Sequence, residues 1–229
     1  MVDFDALTRA SLRRWHEAKP TRKFLSDKVA QSLVAAKKRY QAVEAKTGVP
    51  WAVIAVIHER ESSQNWGRSL AQGDPWNRVS VHVPAGRGPF NSWEEAAIDA
   101  LVNCHPHLAR RKDWSLAGVL IGLELYNGLG YANKGVPSPY LWAGTNQYKS
   151  GKYVRDGLYD SSHVDQQLGC VAMLKSMMAI DPTITFAGAE STSSTPQELH
   201  RAPSIANPSK GSIGAFIARI FNVICKRTS

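Results

Sequence analysis

The sequence predicts a mainly α-helical single domain with long ordered loops between its helices. Three observations lead there. Apolar residues recur at three- and four-residue steps in several separate stretches, the spacing of one helix face. Strict alternation appears only in Val79-Ser80-Val81-His82-Val83, the one candidate for a strand or small β-hairpin. Glycine and proline gather between the periodic stretches, most densely in Gly73-Asp74-Pro75 and in Pro84-Ala85-Gly86-Arg87-Gly88-Pro89.

The elements follow in order. Residues 1–25 are charged and mixed, with Pro20 as a breaker, and read as an N-terminal arm. From Ser26 to Lys46, Val29, Leu33, Ala36, Tyr40 and Val43 mark one helix, capped by Ser26-Asp27. Pro50 opens a second helix whose run Ala52-Val53-Ile54-Ala55-Val56-Ile57 is apolar on nearly every side, so this helix is expected inside the core. It ends in His58-Glu59-Arg60-Glu61-Ser62. The stretch from Gly67 to Asn91 is irregular, with Trp76, Val79, Val81, Val83 and Phe90 arguing for order. Ser92 caps a helix through Val102, with Glu94 and Glu95 in its first turn.

Ser115 to Tyr126 reads as another buried helix that stops at Asn127-Gly128. A loop rich in glycine, tyrosine and tryptophan runs to Asp160, and His163 to Ile180 forms the last helix of the domain, 26–186. Residues 187–212 are rich in serine, threonine, proline and alanine and read as a flexible linker. Residues 213–229 place Ile213, Phe216, Ile217, Ile220, Phe221 and Ile224 on one face of an amphipathic basic helix. Such a helix suits either an anionic membrane surface or docking on the domain.

Composition narrows the function classes. A chain of 229 residues buries one core and leaves room for a tail. No run of eighteen apolar residues offers a conventional membrane span, and the N-terminus lacks the apolar segment of a secretory signal. The chain is therefore expected in the cytoplasm where it is made, until something releases it. Cys104, Cys170 and Cys225 are too scattered for a disulfide framework. The net charge of +9 asks for an anionic partner. The basic residues are dispersed and form no nucleic-acid motif, so nucleic acid is not expected as that partner.

Two carboxyls at the end of a buried helix need partners or a task. Glu59 and Glu61 diverge by about 200° around the axis, so they face different surroundings. Glu61 continues the bulkier stripe Ile54, Ile57, His58. Burial and the negative helix end both favour a protonated carboxyl, as a general acid at neutral pH requires.

Ile57-His58-Glu59-Arg60-Glu61-Ser62 resembles the catalytic helix of the lysozyme-like superfamily, particularly soluble lytic transglycosylases and goose-type lysozymes. Glu124-Leu125-Tyr126-Asn127-Gly128 is similar to the Tyr-Asn end of a later helix that lines the sugar cleft in those enzymes. Gly73-Asp74-Pro75, Val81-His82-Val83-Pro84-Ala85-Gly86-Arg87, Ser138-Pro139-Tyr140-Leu141-Trp142 and Gly151-Lys152-Tyr153 more closely resemble phage and prophage endolysins. The resemblance covers roughly residues 26–185; no Gly-Leu-Met-Gln-like segment follows the helix, in departure from transglycosylases.

The resemblance implies cleavage of peptidoglycan glycan strands during host-cell lysis, with Glu61 as general acid and Asp74 as the first choice for a second carboxylate. The bland alternative for Asp74 is a cap on its own turn. Ser62, Tyr126, Asn127, Tyr131, Tyr140 and Trp142 are expected against substrate, and Glu124 either pairs with Arg60 or reaches the cleft. The enzyme would act as a monomer in the periplasm after a breach of the membrane. No cofactor is implied. Cys104-His105-Pro106-His107 matches no standard zinc spacing, and His58-Glu59-Arg60-Glu61 is not H-E-x-x-H, so no metal is expected. A non-catalytic wall- or membrane-binding protein on the same scaffold is the alternative reading.

Overall fold

A computed structural model describes residues 2–155 and 157–189. Its helices are α1 (Phe4–Glu17), α2 (Lys23–Ala35), α3 (Lys37–Thr47), α4 (Trp51–Ser62), α5 (Trp93–Asn103), α6 (Leu116–Asn127), α7 (Gly130–Lys134), α8 (Pro139–Trp142) and α9 (Cys170–Ile180). One 3-10 turn covers Leu108–Arg110. Strands β1 (Lys152–Arg155) and β2 (Leu158–Asp160) pair antiparallel, with Lys152 opposite Asp160 and Tyr153 opposite Tyr159. The protein is therefore mainly helical with one small two-stranded sheet among the described residues.

Helix α4 forms the centre because its sequence leaves it no polar face. Every residue from Trp51 to His58 is buried, as is Arg60. Helix α3 packs on α4 and α5, α2 and α4 pack on α9, and α1 packs on α6. Ser92 and Ser115 cap α5 and α6 as their positions suggest, accepting from the amides of Glu95 and Gly118.

Four expectations are corrected. The paired strands are Lys152–Arg155 and Leu158–Asp160, and no strand forms at 79–83. The stretch 26–46 is two helices broken at Ala36, so that α2 lies along α9 while α3 turns to α4 and α5. The arm 1–25 contains α1 and the start of α2; Trp15 of α1 is buried under the Lys175 ammonium, 4.9 Å from its ring centre. The last helix starts at Cys170, not His163, because arginines capture the preceding carbonyls. Arg22 donates to Gln166 and Gln167, and Arg60 donates to Leu168. Those oxygens are then spent outside any helical ladder. Apart from Ala187–Ala189, the linker expected at 187–212 and the helix expected at 213–229 lie outside the described residues.

Candidate active site

The C-terminal end of α4 is held by the sequence that follows it. Ser63 and Gln64 both adopt left-handed backbone, uncommon without glycine, and their amides return to the carbonyls of Glu59 and His58. His58 secures this turn from below. Its Nε2 donates to the Asn65 carbonyl at 3.1 Å, which leaves Nδ1 to accept from the Tyr40 hydroxyl at 3.0 Å. Burial pushes His58 down to about 4, so it is neutral at physiological pH, as that pattern requires. Tyr40, Trp66 and Trp93 enclose its ring.

Glu61 is half-buried at this end, and the Tyr140 hydroxyl donates to its Oε1 at 2.9 Å. Tyr140 is buried on α8; burial and then the Glu61 charge keep its hydroxyl well above the ordinary tyrosine range, so it remains a donor. The Arg60 guanidinium lies 4.8 Å from the Tyr140 ring centre. Arg60 also donates to the Leu168 carbonyl at 3.1 Å and to Asp165 Oδ2 at 3.2 Å, while Lys152 donates to Asp165 Oδ1 at 2.9 Å. Burial alone would raise the Asp165 carboxyl, but Arg60 and Lys152 outweigh it and hold it below the usual range. The network joins α4, α8, β1 and the segment before α9.

A second chain of bonds places α8 itself. Asn127 Nδ2 donates to Ser138 Oγ at 3.3 Å, and that same oxygen accepts the Tyr140 amide at 3.2 Å as the cap of α8. The Tyr126 hydroxyl donates to the Leu70 carbonyl at 2.9 Å, tying the end of α6 to the loop after α4. Ser62 turns back to the His58 carbonyl. Thus Ser62 ties down the α4 end, and Asn127, through Ser138, supports the helix that carries Tyr140.

Asp74 is buried in the next loop. Its Oδ2 accepts the amides of Val81 and His82 at 2.9 and 3.0 Å, and its Oδ1 contacts His82 Nδ1 at 2.6 Å. Burial acts to raise this carboxyl, and the bonds from His82 and Val81 overcome it, so the net displacement is downward. The loop touches the α4 end at Gly73. A β-carbon there would stand 3.6 Å from the Glu61 carbonyl oxygen, and the backbone is left-handed at φ +67°.

Other expected residues sit deeper. Trp142 is a core residue on α8, and Tyr126, Tyr131 and Tyr140 are buried too, so protein rather than a sugar ring covers their faces. Tyr131 accepts the Tyr153 amide at 3.1 Å and meets Tyr153 and Tyr159 edge to face. Glu124 does not pair with Arg60, whose carboxylate partner is Asp165. Burial pushes Glu124 up to about 8, opposed weakly by Arg14. Glu59 is half-buried and pushed up to about 7 by burial.

Asp165 and Lys152 were not singled out from sequence, nor was Tyr140 as the partner of Glu61. The only signal in the sequence is Arg60 at the end of a buried helix, which asks for a buried acid without saying which one. Among the described residues, no group of three or more His, Cys, Asp or Glu side chains is placed to hold a metal ion. No protein-family model, curated protein or solved structure matches this chain.

Proposed function

We propose that this chain is a lysozyme-like endolysin that cleaves the glycan strands of bacterial peptidoglycan, with Glu61 as general acid. The observation that carries this reading is the hydrogen bond from Tyr140 to Glu61 at the end of a buried helix, with Tyr140 itself gripped by Arg60. A donor fixed on Oε1 orients the carboxyl that delivers its proton to the glycosidic oxygen. The bond from that oxygen to the anomeric carbon then breaks, and positive charge develops on the sugar beside the new Glu61 carboxylate.

Two completions differ in the nucleophile. In a hydrolase, water attacks the anomeric carbon with help from a second carboxylate. In a lytic transglycosylase, the sugar's own 6-hydroxyl attacks and returns its proton to Glu61, leaving an anhydro end. The engagement of both Asp74 oxygens within its loop favours the second route. Asp74 then contributes by holding the loop against the α4 end. The enzyme would work on the wall side of the membrane after a breach, drawn to anionic wall polymers by its surplus charge of +9.

Mass spectrometry of soluble products from purified peptidoglycan tests the reading. Wild type should release muropeptides, and a folded Glu61→Gln variant should release at least about a hundredfold less. Anhydro ends assign transglycosylation and reducing ends assign hydrolysis. Unchanged release by Glu61→Gln would remove Glu61 from the chemistry, and no release by wild type would favour a binding protein.

A further inference from the structure

Left-handed backbone favours glycine, yet the residues that turn the chain just beyond Glu61 are Ser63 and Gln64, at φ +52° and +54°. Such a conformation is costly without glycine and persists where the surroundings hold it, commonly at functional sites. Here the Gln64 side chain does the holding. Its Nε2 donates to the Ser32 carbonyl on α2 and to the Tyr40 hydroxyl on α3, each at 3.2 Å, and its Oε1 accepts from the Ser32 hydroxyl. Ser32 and Tyr40 stand on either side of the break at Ala36, so one amide clasps both helices to the end of α4.

These bonds close a ring that runs in one direction. Gln64 donates to Tyr40, Tyr40 donates to His58 Nδ1, and His58 Nε2 donates to the carbonyl of Asn65, the next residue after Gln64. The Gln64 backbone amide returns to the His58 carbonyl across the ring. Tyr40 and His58 are wholly buried, so the ring faces the protein interior. Glu61 lies on the arc of chain between His58 and Gln64, while its carboxyl is held separately by Tyr140. The Tyr140 bond can orient that carboxyl only if the backbone beneath it is equally fixed.

We propose that Gln64 is a positioning residue for Glu61, its side-chain amide locking, through Tyr40 and His58, the turn that holds the acid in place. This rests on the glycan-cleaving reading of Glu61. The residue type fits the task. Glycine would suit the backbone but leave both helices unclasped, and a glutamate carboxylate could accept from Ser32 but not donate to Tyr40.

The test uses two full-chain variants with opposite effects on the backbone. Gln64→Gly removes the amide and relieves the left-handed conformation, whereas Gln64→Glu keeps that conformation and the size but loses the donor. Both are compared with wild type on peptidoglycan, at a temperature where circular dichroism shows them fully folded. Each should lose about tenfold in kcat, with KM within about twofold of wild type, the pattern of a misplaced acid. Should one variant not fold, the other carries the comparison. A kcat within about twofold of wild type, or a rise in KM alone, overturns the positioning role. Tyr40→Phe opens the same ring and should lower kcat by a similar factor, with little further loss in Tyr40→Phe/Gln64→Gly. Losses that multiply in the double variant overturn the ring as the route.

Amide exchange separates the clasp from the cleavage reading. The Ser63 amide, which donates to the Glu59 carbonyl, should exchange about tenfold or more faster in Gln64→Gly, while the Val56 and Ile57 amides keep their protection. If wild type releases no product but this local acceleration stands, the glycan-cleaving reading fails and the clasp on the Glu61 turn survives. Unchanged exchange at Ser63 overturns the clasp.

Discussion

At the scale of single residues, two buried groups with opposite pH dependence shape the behaviour of the fold. His58 is neutral in the folded chain and lies near 4, below its unfolded value. Its contribution is complete above about pH 6.5 and is lost as pH falls through that value towards 4, by about 3 kcal/mol. Glu124 lies near 8, above its unfolded value, so its contribution is complete below about pH 4.5 and is lost as pH rises towards 8. Near pH 7 that loss is about 3 kcal/mol. Glu124→Gln should therefore raise the Tm at pH 7 by on the order of 5 °C or more and change little at pH 4. Glu59, near 7, slopes the same way as Glu124, so urea midpoints should reveal the acid destabilisation from His58 between about pH 6.5 and 4 once both carboxyls are removed, in Glu59→Gln/Glu124→Gln.

Tyr140 belongs to the same scale. Tyr140→Phe keeps the buried ring and its contact with Arg60 but removes the donor to Glu61. A hydrogen bond to a charged group is worth roughly 1.5–3 kcal/mol, so kcat on peptidoglycan should fall by about 10- to 100-fold with the fold intact. Circular dichroism and product release on the same preparation check both halves of that outcome.

Among elements, the decisive joint is the one between α4 and the segment before α9. Arg60 and Asp165 are both almost wholly buried, and Lys152 from β1 completes the triad. Asp165→Ala leaves the buried Arg60 and the half-buried Lys152 without their carboxylate and should destabilise the protein by about 3–5 kcal/mol, measured by urea unfolding. Gly169 lies at the same joint. A β-carbon there would come within 2.4 Å of the Leu141 carbonyl oxygen, so α9 can approach α8 this closely only with glycine. Since α8 carries Tyr140, a disturbance at this joint reaches Glu61 without touching it.

For the whole molecule, among the described residues no helix is long and apolar enough to cross a membrane. Separately, the net charge of +9 and the apolar and basic sequence pattern of residues 213–229, which lie outside the described residues, carry the expectation of binding to an anionic surface. Truncation after Ala189 should leave product release from peptidoglycan within about twofold and greatly reduce co-sedimentation with anionic vesicles. Unchanged vesicle binding would exclude the tail as the anchor. Binding through dispersed charge should also weaken as salt rises, because exposed charges are screened beyond about 8–10 Å near physiological ionic strength.

Local chemistry by itself determined much of the architecture. The helices at α4, α5 and α6 were legible because their apolar runs, caps and stop signals lie within a few neighbouring residues. Glu61 was legible as a candidate for the same reason, as a carboxyl closing a buried helix. Tertiary structure alone decided the partners. Arg60 finds Asp165 across 105 positions, and Glu61 finds Tyr140 across 79, separations that no local pattern encodes. It also decided the direction of the 79–83 valines. Alternation suggests a strand with two faces, but the buried Asp74 carboxylate takes the Val81 and His82 amides into a loop in which Ser80 alone of residues 79–83 is buried.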